Sequence, residues 1–229
     1  MRIITLLSFV GLLGTCAFAD TTVGLPADSG SGNCFPFGCA YNAEYEQVYS
    51  STAFNGPITI TGLEFFNTEY NSGATSLPSG NYTIDLSTTS ADWNSLNSTF
   101  GANVGADNTQ VFNGSIQQSW AFGDTLSIVF STPFSYDPGN GNLLMDVVGS
   151  GISLPGGAVY FNVNSTDSTL GRLYCTGGVA CSSGSVQNNY GLVTDFVGST
   201  SAVPEPSSVS IVAALAGLMM LVRRRLWAK

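Results

Sequence analysis

Carboxylates, cysteines and a few aromatic rings are the residues with which the stretch from Asp20 to Ala202 could do chemistry. It holds 14 acidic residues and one basic residue, Arg172, and the whole chain has no His. Without His there is no Ser-His-Asp or Cys-His site and no imidazole-held metal. With no Lys between Asp20 and Ala202 there is no Ser-Lys pair, Schiff base or usual phosphate loop either. Carboxylate chemistry is what remains: a glycosidase needs two carboxyls about 5–9.5 Å apart across a cleft. Nothing in the sequence singles out one pair, so no catalytic residue is expected. "YDPGNGNLLMDV" offers the oxygen donors Asp137, Asn140 and Asn142. It is not an EF-hand, because Val148 stands where the loop requires its last acid. It reads better as a Pro138-Gly139 turn feeding a strand from Leu143 to Val148. No cofactor is expected, and no Ca²⁺ site is assigned.

Tyr70 and Trp93 lie in polar, loop-like context, where a ring face can stack on a sugar; they are the candidate glycan contacts. Trp120 reads as core. Cys34, Cys39, Cys175 and Cys181 form two closely spaced pairs, "CFPFGC" and "CTGGVAC". Of the three pairings four cysteines allow, the local ones, Cys34–Cys39 and Cys175–Cys181, are expected. Each would close a short loop, worth roughly 2 kcal/mol, and staple it without holding the core. A zinc site is disfavoured for want of His. The Asn-x-Ser/Thr sequons at Asn81, Asn97, Asn113 and Asn164 reflect composition.

The elements that must position these residues read as strands. "NYTIDLST" alternates cleanly, with Tyr82, Ile84 and Leu86 on one face, and "TLSIVF" repeats the pattern with Leu126, Ile128 and Phe130. Leu192, Thr194 and Phe196 continue it near the end. In "PITITGLEFF" the apolar phase slips at Gly62, which a β-bulge would absorb, or two short strands meeting at a kink. "SWAFGDTLSIVF" reads as a hairpin turning at Gly123-Asp124. Further strands are expected near 46–51, 109–116, 143–149, 158–163 and 170–175. Only "SADWNSLNSTFG" could form a turn or two of helix. About ten short strands with Gly- and Asn-rich turns predict an all-β domain, an antiparallel sandwich of jelly-roll type, and no fixed-period repeat argues for a solenoid.

The two ends read as addresses. "MRIITLLSFVGLLGTCAFAD" combines Arg2, an apolar run and the small-x-small site Ala17-Phe18-Ala19, which predicts a secretory signal peptide over 1–19. A lipoprotein signal acylated at Cys16 is the rival, weakened by Thr15. The domain, 20–202, then carries about 13 net negative charges, from 14 acids against Arg172. That excludes a phosphate backbone as partner; no nucleic acid is expected. At 203–229, Pro204-Glu205-Pro206 precedes an apolar run from Val209 to Val222, and Arg223, Arg224 and Arg225 follow it. Even from Ser207 a helix would rise only ~24 Å, short of the ~30 Å hydrocarbon core. The arginines would act as a cytoplasmic stop, leaving the domain outside.

This order of proline motif, short apolar helix and terminal arginine cluster resembles the PEP-CTERM sorting signal of Gram-negative bacteria. The resemblance covers about the last 27 residues. It implies recognition of Pro204, Glu205 and Pro206 by an exosortase, a membrane-embedded cysteine transpeptidase. It further implies transient residence in the inner membrane, removal of the tail near the motif, and delivery to the cell surface or extracellular polymer. The stretches "YEQVYSSTAFNGPITITGLEFF", "YTIDLSTTS" and "GNGNLLMDV" resemble a recurring ectodomain of such proteins, which brings no site residues with it. The expectation is a non-enzymatic structural or adhesive protein of the surface or biofilm matrix. Its alternatives are a carbohydrate-binding module contacting extracellular polysaccharide and, third, a carboxylate-dependent glycoside hydrolase.

Overall fold

The computed structural model describes residues 20–41, 44–176 and 181–200. The expected signal peptide, Pro204-Glu205-Pro206, the short helix and the three arginines lie outside the described residues. Among the described residues no helix is long and apolar enough to cross a membrane.

The domain is all-β, with antiparallel strands throughout. Twelve are described: β1 (Thr21–Val23), β2 (Glu44–Tyr49), β3 (Ile58–Phe66), β4 (Ser79–Thr89), β5 (Thr109–Gly114), β6 (Thr125–Tyr136), β7 (Asn142–Ser153), β8 (Val163–Asn164), β9 (Leu170–Cys175), β10 (Ser185–Asn188), β11 (Gly191–Leu192) and β12 (Thr194–Thr200). A four-stranded sheet runs β1-β12-β3-β6, a six-stranded sheet β10-β9-β2-β7-β4-β5, and β8 pairs with β11. β1 and β12 are neighbours, with Thr21 opposite Phe196, so the domain's first and last strands lie side by side.

Alternation explains the core. Tyr82, Ile84 and Leu86 of β4 are wholly buried, and so are Leu192, Thr194 and Phe196, while Leu126, Ile128 and Phe130 are nearly so. Rings from the two large sheets meet in one apolar cluster. Tyr49 of β2 packs edge-on to Phe196 of β12, with centroids 4.8 Å apart.

The phase slip in β3 is a bulge inside one continuous strand. Against β12, Val197 pairs with Gly62 and Gly198 with Ile60, so Thr61 is the extra, exposed residue. That returns Ile58, Ile60, Leu63 and Phe65 to the same buried face. Gly62 allows the close approach: a Cβ there would stand 2.8 Å from the Ile128 carbonyl oxygen.

Three expectations fail for identifiable reasons. The hairpin at Gly123-Asp124 is absent. The turn centres on Phe122-Gly123, closed by Asp124 N–H to the Ala121 carbonyl. The segment before it bonds instead to 75–77, through Leu77 N–H to Gln118 O and Trp120 N–H to Thr75 O, both 2.9 Å. Trp120 belongs to the core, edge-on to Phe161, and burying that ring draws the segment away from β6. The strand near 158–163 shrinks to a bridge between Phe161 and Asn33 and the start of β8. "SADWNSLNSTFG" forms turns, not helix. Asn97 N–H donates to Asn103 Oδ1, and Asn103 Nδ2 donates to Asn97 O; such side-chain bonds to backbone compete with a helical ladder.

The resulting loop between β4 and β5 covers the outer face of the six-stranded sheet. It packs Leu96 and Trp93 on Val48 and Leu144. The 137–142 stretch keeps the turn reading: Asp137 caps the short turn Pro138–Asn140, and β7 begins at Asn142.

Candidate functional site

The two local cysteine pairs are bonded, with Cα atoms 5.1 Å apart in Cys34–Cys39 and 6.3 Å in Cys175–Cys181. The first does more than staple a loop. Between its cysteines Phe37 reaches the centre of the core, packed against Phe65, Tyr82 and Phe161. Gly38 lets the loop lie on Val159, whose carbonyl a Cβ would strike. Phe35, two residues earlier, is half-buried at the margin of the same core.

Phe35 belongs to a stack of planar groups that runs from one disulfide to the other. Its ring lies 5.4 Å from Tyr41 at 21° and 5.6 Å from Tyr174 at 30°. Tyr174 immediately precedes Cys175 on β9. Two residues earlier, on the same face of the strand, the Arg172 guanidinium sits 4.7 Å from the Tyr174 centroid and 4.0 Å from that of Tyr190. The order is Tyr41, Phe35, Tyr174, Arg172, Tyr190. Tyr41 at one end is 48% exposed; Phe35, Tyr174 and Tyr190 are half-buried.

The lone cation of the domain is thus locked between rings. Arg172 is 5% exposed. Its Nε donates to Gln187 Oε1 at 2.7 Å and its Nη2 to the same oxygen; its Nη1 has no partner among the described residues. A guanidinium over an aromatic face gains most where water is excluded, up to about 2 kcal/mol. Tyr190 is brought there by a turn at Asn189, whose φ of 56° suits Asn better than most residues. β11 then pins the turn: Gln47 exchanges hydrogen bonds with Leu192, and Gly191 leaves room for the Gln47 amide. Tyr45 donates to Gln47 at 2.5 Å. Burial pushes its phenol up to about 12, while the Arg172 charge acts the other way. Burial also raises Tyr190, again opposed by Arg172. Beside Tyr174 opens a cleft of about 300 Å³ lined by Cys175, Thr176, Ser183, Gly184 and Ser185. Tyr174 is the one ring in that lining, and Phe35 and Arg172 already pack on it.

The structure does not bring Tyr70 and Trp93 into one platform. Tyr70 is 43% exposed and pairs with Tyr160 at 4.9 Å. Trp93 is half-buried on the small cluster over the six-stranded sheet. The stack was beyond sequence reasoning because its members come from three distant segments. One local signal was there: in "GRLYC" Arg172 and Tyr174 share a strand face.

The carboxylates gather elsewhere. Glu46 of β2 stands opposite Asp146 of β7, which stands opposite Asp85 of β4, on the sheet's outer face. Glu46 is fully buried beneath the β4–β5 loop and accepts from Asn103 Nδ2 at 2.7 Å and Gly101 N–H at 3.2 Å. Burial, reinforced by Glu46, Glu44 and Asp85, pushes Asp146 up to about 8. Among the described residues no group of three or more Asp, Glu or Cys is placed to hold a metal ion.

No protein-family model matches the chain, and no curated protein matches it.

Proposed function

We propose that this chain is an exported structural or adhesive protein of the cell surface or extracellular matrix, handed over by an exosortase through its C-terminal signal. The observation that carries this reading is the order Pro204-Glu205-Pro206, apolar run, Arg223-Arg224-Arg225 behind a domain with two disulfides. Disulfides belong to an oxidising, extracytoplasmic compartment. On this reading the four- and six-stranded sheets are the two faces of a jelly-roll-like sandwich, and the negative domain stays soluble once released. Glu205→Ala should leave export intact and trap full-length protein in the membrane. Mass spectrometry that finds residues 207–229 still attached to the mature surface form overturns the sorting reading.

A second reading is carbohydrate binding, and the stack from Tyr41 to Tyr190 supports it. The negative domain disfavours acidic polymers, and the Arg172 charge is held out of solvent, so a neutral glycan is the matching class. A glycan array with wild type, Tyr41→Ala and Tyr190→Ala tests it. Binding lost in the variants supports the stack; binding lost only in Tyr70→Ala or Trp93→Ala moves the site; no binding at all removes the reading.

A further inference from the structure

We infer that the free edge of β6, from Thr125 to Val129, is a self-association surface that pairs antiparallel with β6 of a second copy. Each large sheet ends in two edges, and three of the four edge strands are short: β1 has three residues, β10 four and β5 six. Short edges resist adventitious pairing. β6 has twelve residues and no charge among them. Its protections against edge pairing, Pro133 and the register break opposite Thr61, both fall in its second half. Over Thr125–Val129 the pairing with β3 is regular, and among the described residues no strand pairs with the other side.

The occupant follows from charge and shape. In a domain with 14 acids and one base, most approaches set carboxylate against carboxylate. Pairing Thr125–Val129 with itself about Ser127 sets Ser127 on Ser127 and Val129 on Thr125, with no charge on either strand. The nearest carboxylate on the adjacent strand, Glu64, already accepts the Ser127 hydroxyl at 2.8 Å. Val129 is 78% exposed, more than any other large exposed apolar side chain described. Beside it runs a groove of about 350 Å³ whose walls include Phe112, Ile116, Gln117, Leu126 and Ile128. A twofold axis makes each contact twice, Val129 on Thr125 and Thr125 on Val129, the self-complementarity of an isologous dimer. Five paired residues per copy fall well short of the roughly 1,200 Å² of a stable interface. The association is therefore weak and concentration-dependent, fitting many copies crowded in one place.

The test uses the exported full chain. Ser127→Cys places a thiol on the twofold axis, and Ser135→Cys places one on an exposed part of the same strand. The expected result is a disulfide-linked homodimer on non-reducing gels for Ser127→Cys and little for Ser135→Cys. Adding Val129→Lys to Ser127→Cys should reduce the dimer by about tenfold or more, the change that about 1.4 kcal/mol produces. In detergent, sedimentation velocity of the full chain without added cysteines should show a concentration-dependent shift that Val129→Lys removes. Equal crosslinking at both positions, indifference to Val129→Lys, or Ser127→Cys captured by a different protein would overturn the inference.

Discussion

Asp146 of β7 stands directly opposite Asp85 of β4, and each carries a buried Oδ1 with no hydrogen-bond partner among the described residues. Facing residues of an antiparallel pair have Cβ atoms only about 4.5–5.5 Å apart. Two bare carboxylates there would repel, and Glu46 faces Asp146 from the other side. Protonation of Asp146 eases the conflict, because it removes one of the facing charges and a protonated carboxyl can donate where a carboxylate can only accept.

The pH dependence follows. The folded domain holds Asp146 up to about 8, against 3.8 ordinarily, through burial and the neighbours Glu46, Glu44 and Asp85. The folded state therefore binds more protons than the unfolded chain between these values, so stability falls as pH rises through that window. Glu44 and Glu46, also raised by burial, add in the same direction. Melting temperature should decline from pH 5 to pH 8. Asp146→Asn should flatten the decline and raise the pH 8 value by on the order of 3–6 °C. A variant with the wild-type slope would show that the proton sits elsewhere.

Phe37 links the first disulfide to the core. Phe37→Ala should cost about 3–5 kcal/mol, as for other large rings removed from cores. Replacing Cys34 and Cys39 by Ser removes roughly 2 kcal/mol of loop constraint and part of the Phe37 contribution as well. The Cys175–Cys181 replacement should cost only the loop term. Urea titrations of the three variants separate the cases: equal losses for the two disulfides would mean that Phe37 keeps its place without the bridge.

Arg172 fills its place in the stack by being flat. Arg172→Lys keeps the charge but loses the planar fork that meets both rings and Gln187. It should destabilise by about 1–2 kcal/mol and change the near-ultraviolet signal of the tyrosines. If Arg172→Lys matches wild type in both, the charge alone suffices and the stacking geometry is incidental.

The residues that alternate were legible in advance, since a strand buried on one face writes its period into the chain. Tyr82, Ile84 and Leu86 show this, and so does the slip at Gly62, where the bulge leaves a local mark in the pattern. The pairings were not legible. Nothing near Trp120 indicates that its segment joins 75–77, because that choice depends on where Phe161 leaves room for the indole. The stretch around Asn97 allowed a turn or two of helix, but the loop closed on the Asn97 and Asn103 groups and on Glu46. The two candidate rings, Tyr70 and Trp93, stand out by their polar sequence surroundings, a local property. The stack depends instead on three segments converging, which local context does not record.

The pairing of the first strand with the last has a mechanical meaning. β12 lies between β1 and β3, paired with β3 from Thr194 to Thr200 and with β1 over Thr194–Phe196. A pull on Thr200 along the strand loads the two ladders in shear, so many hydrogen bonds must yield together, where an edge strand peeled from one end would lose them one at a time. Resistance of this kind is governed by the rate of forced unfolding, and here it is built in at the point where the domain joins its tail.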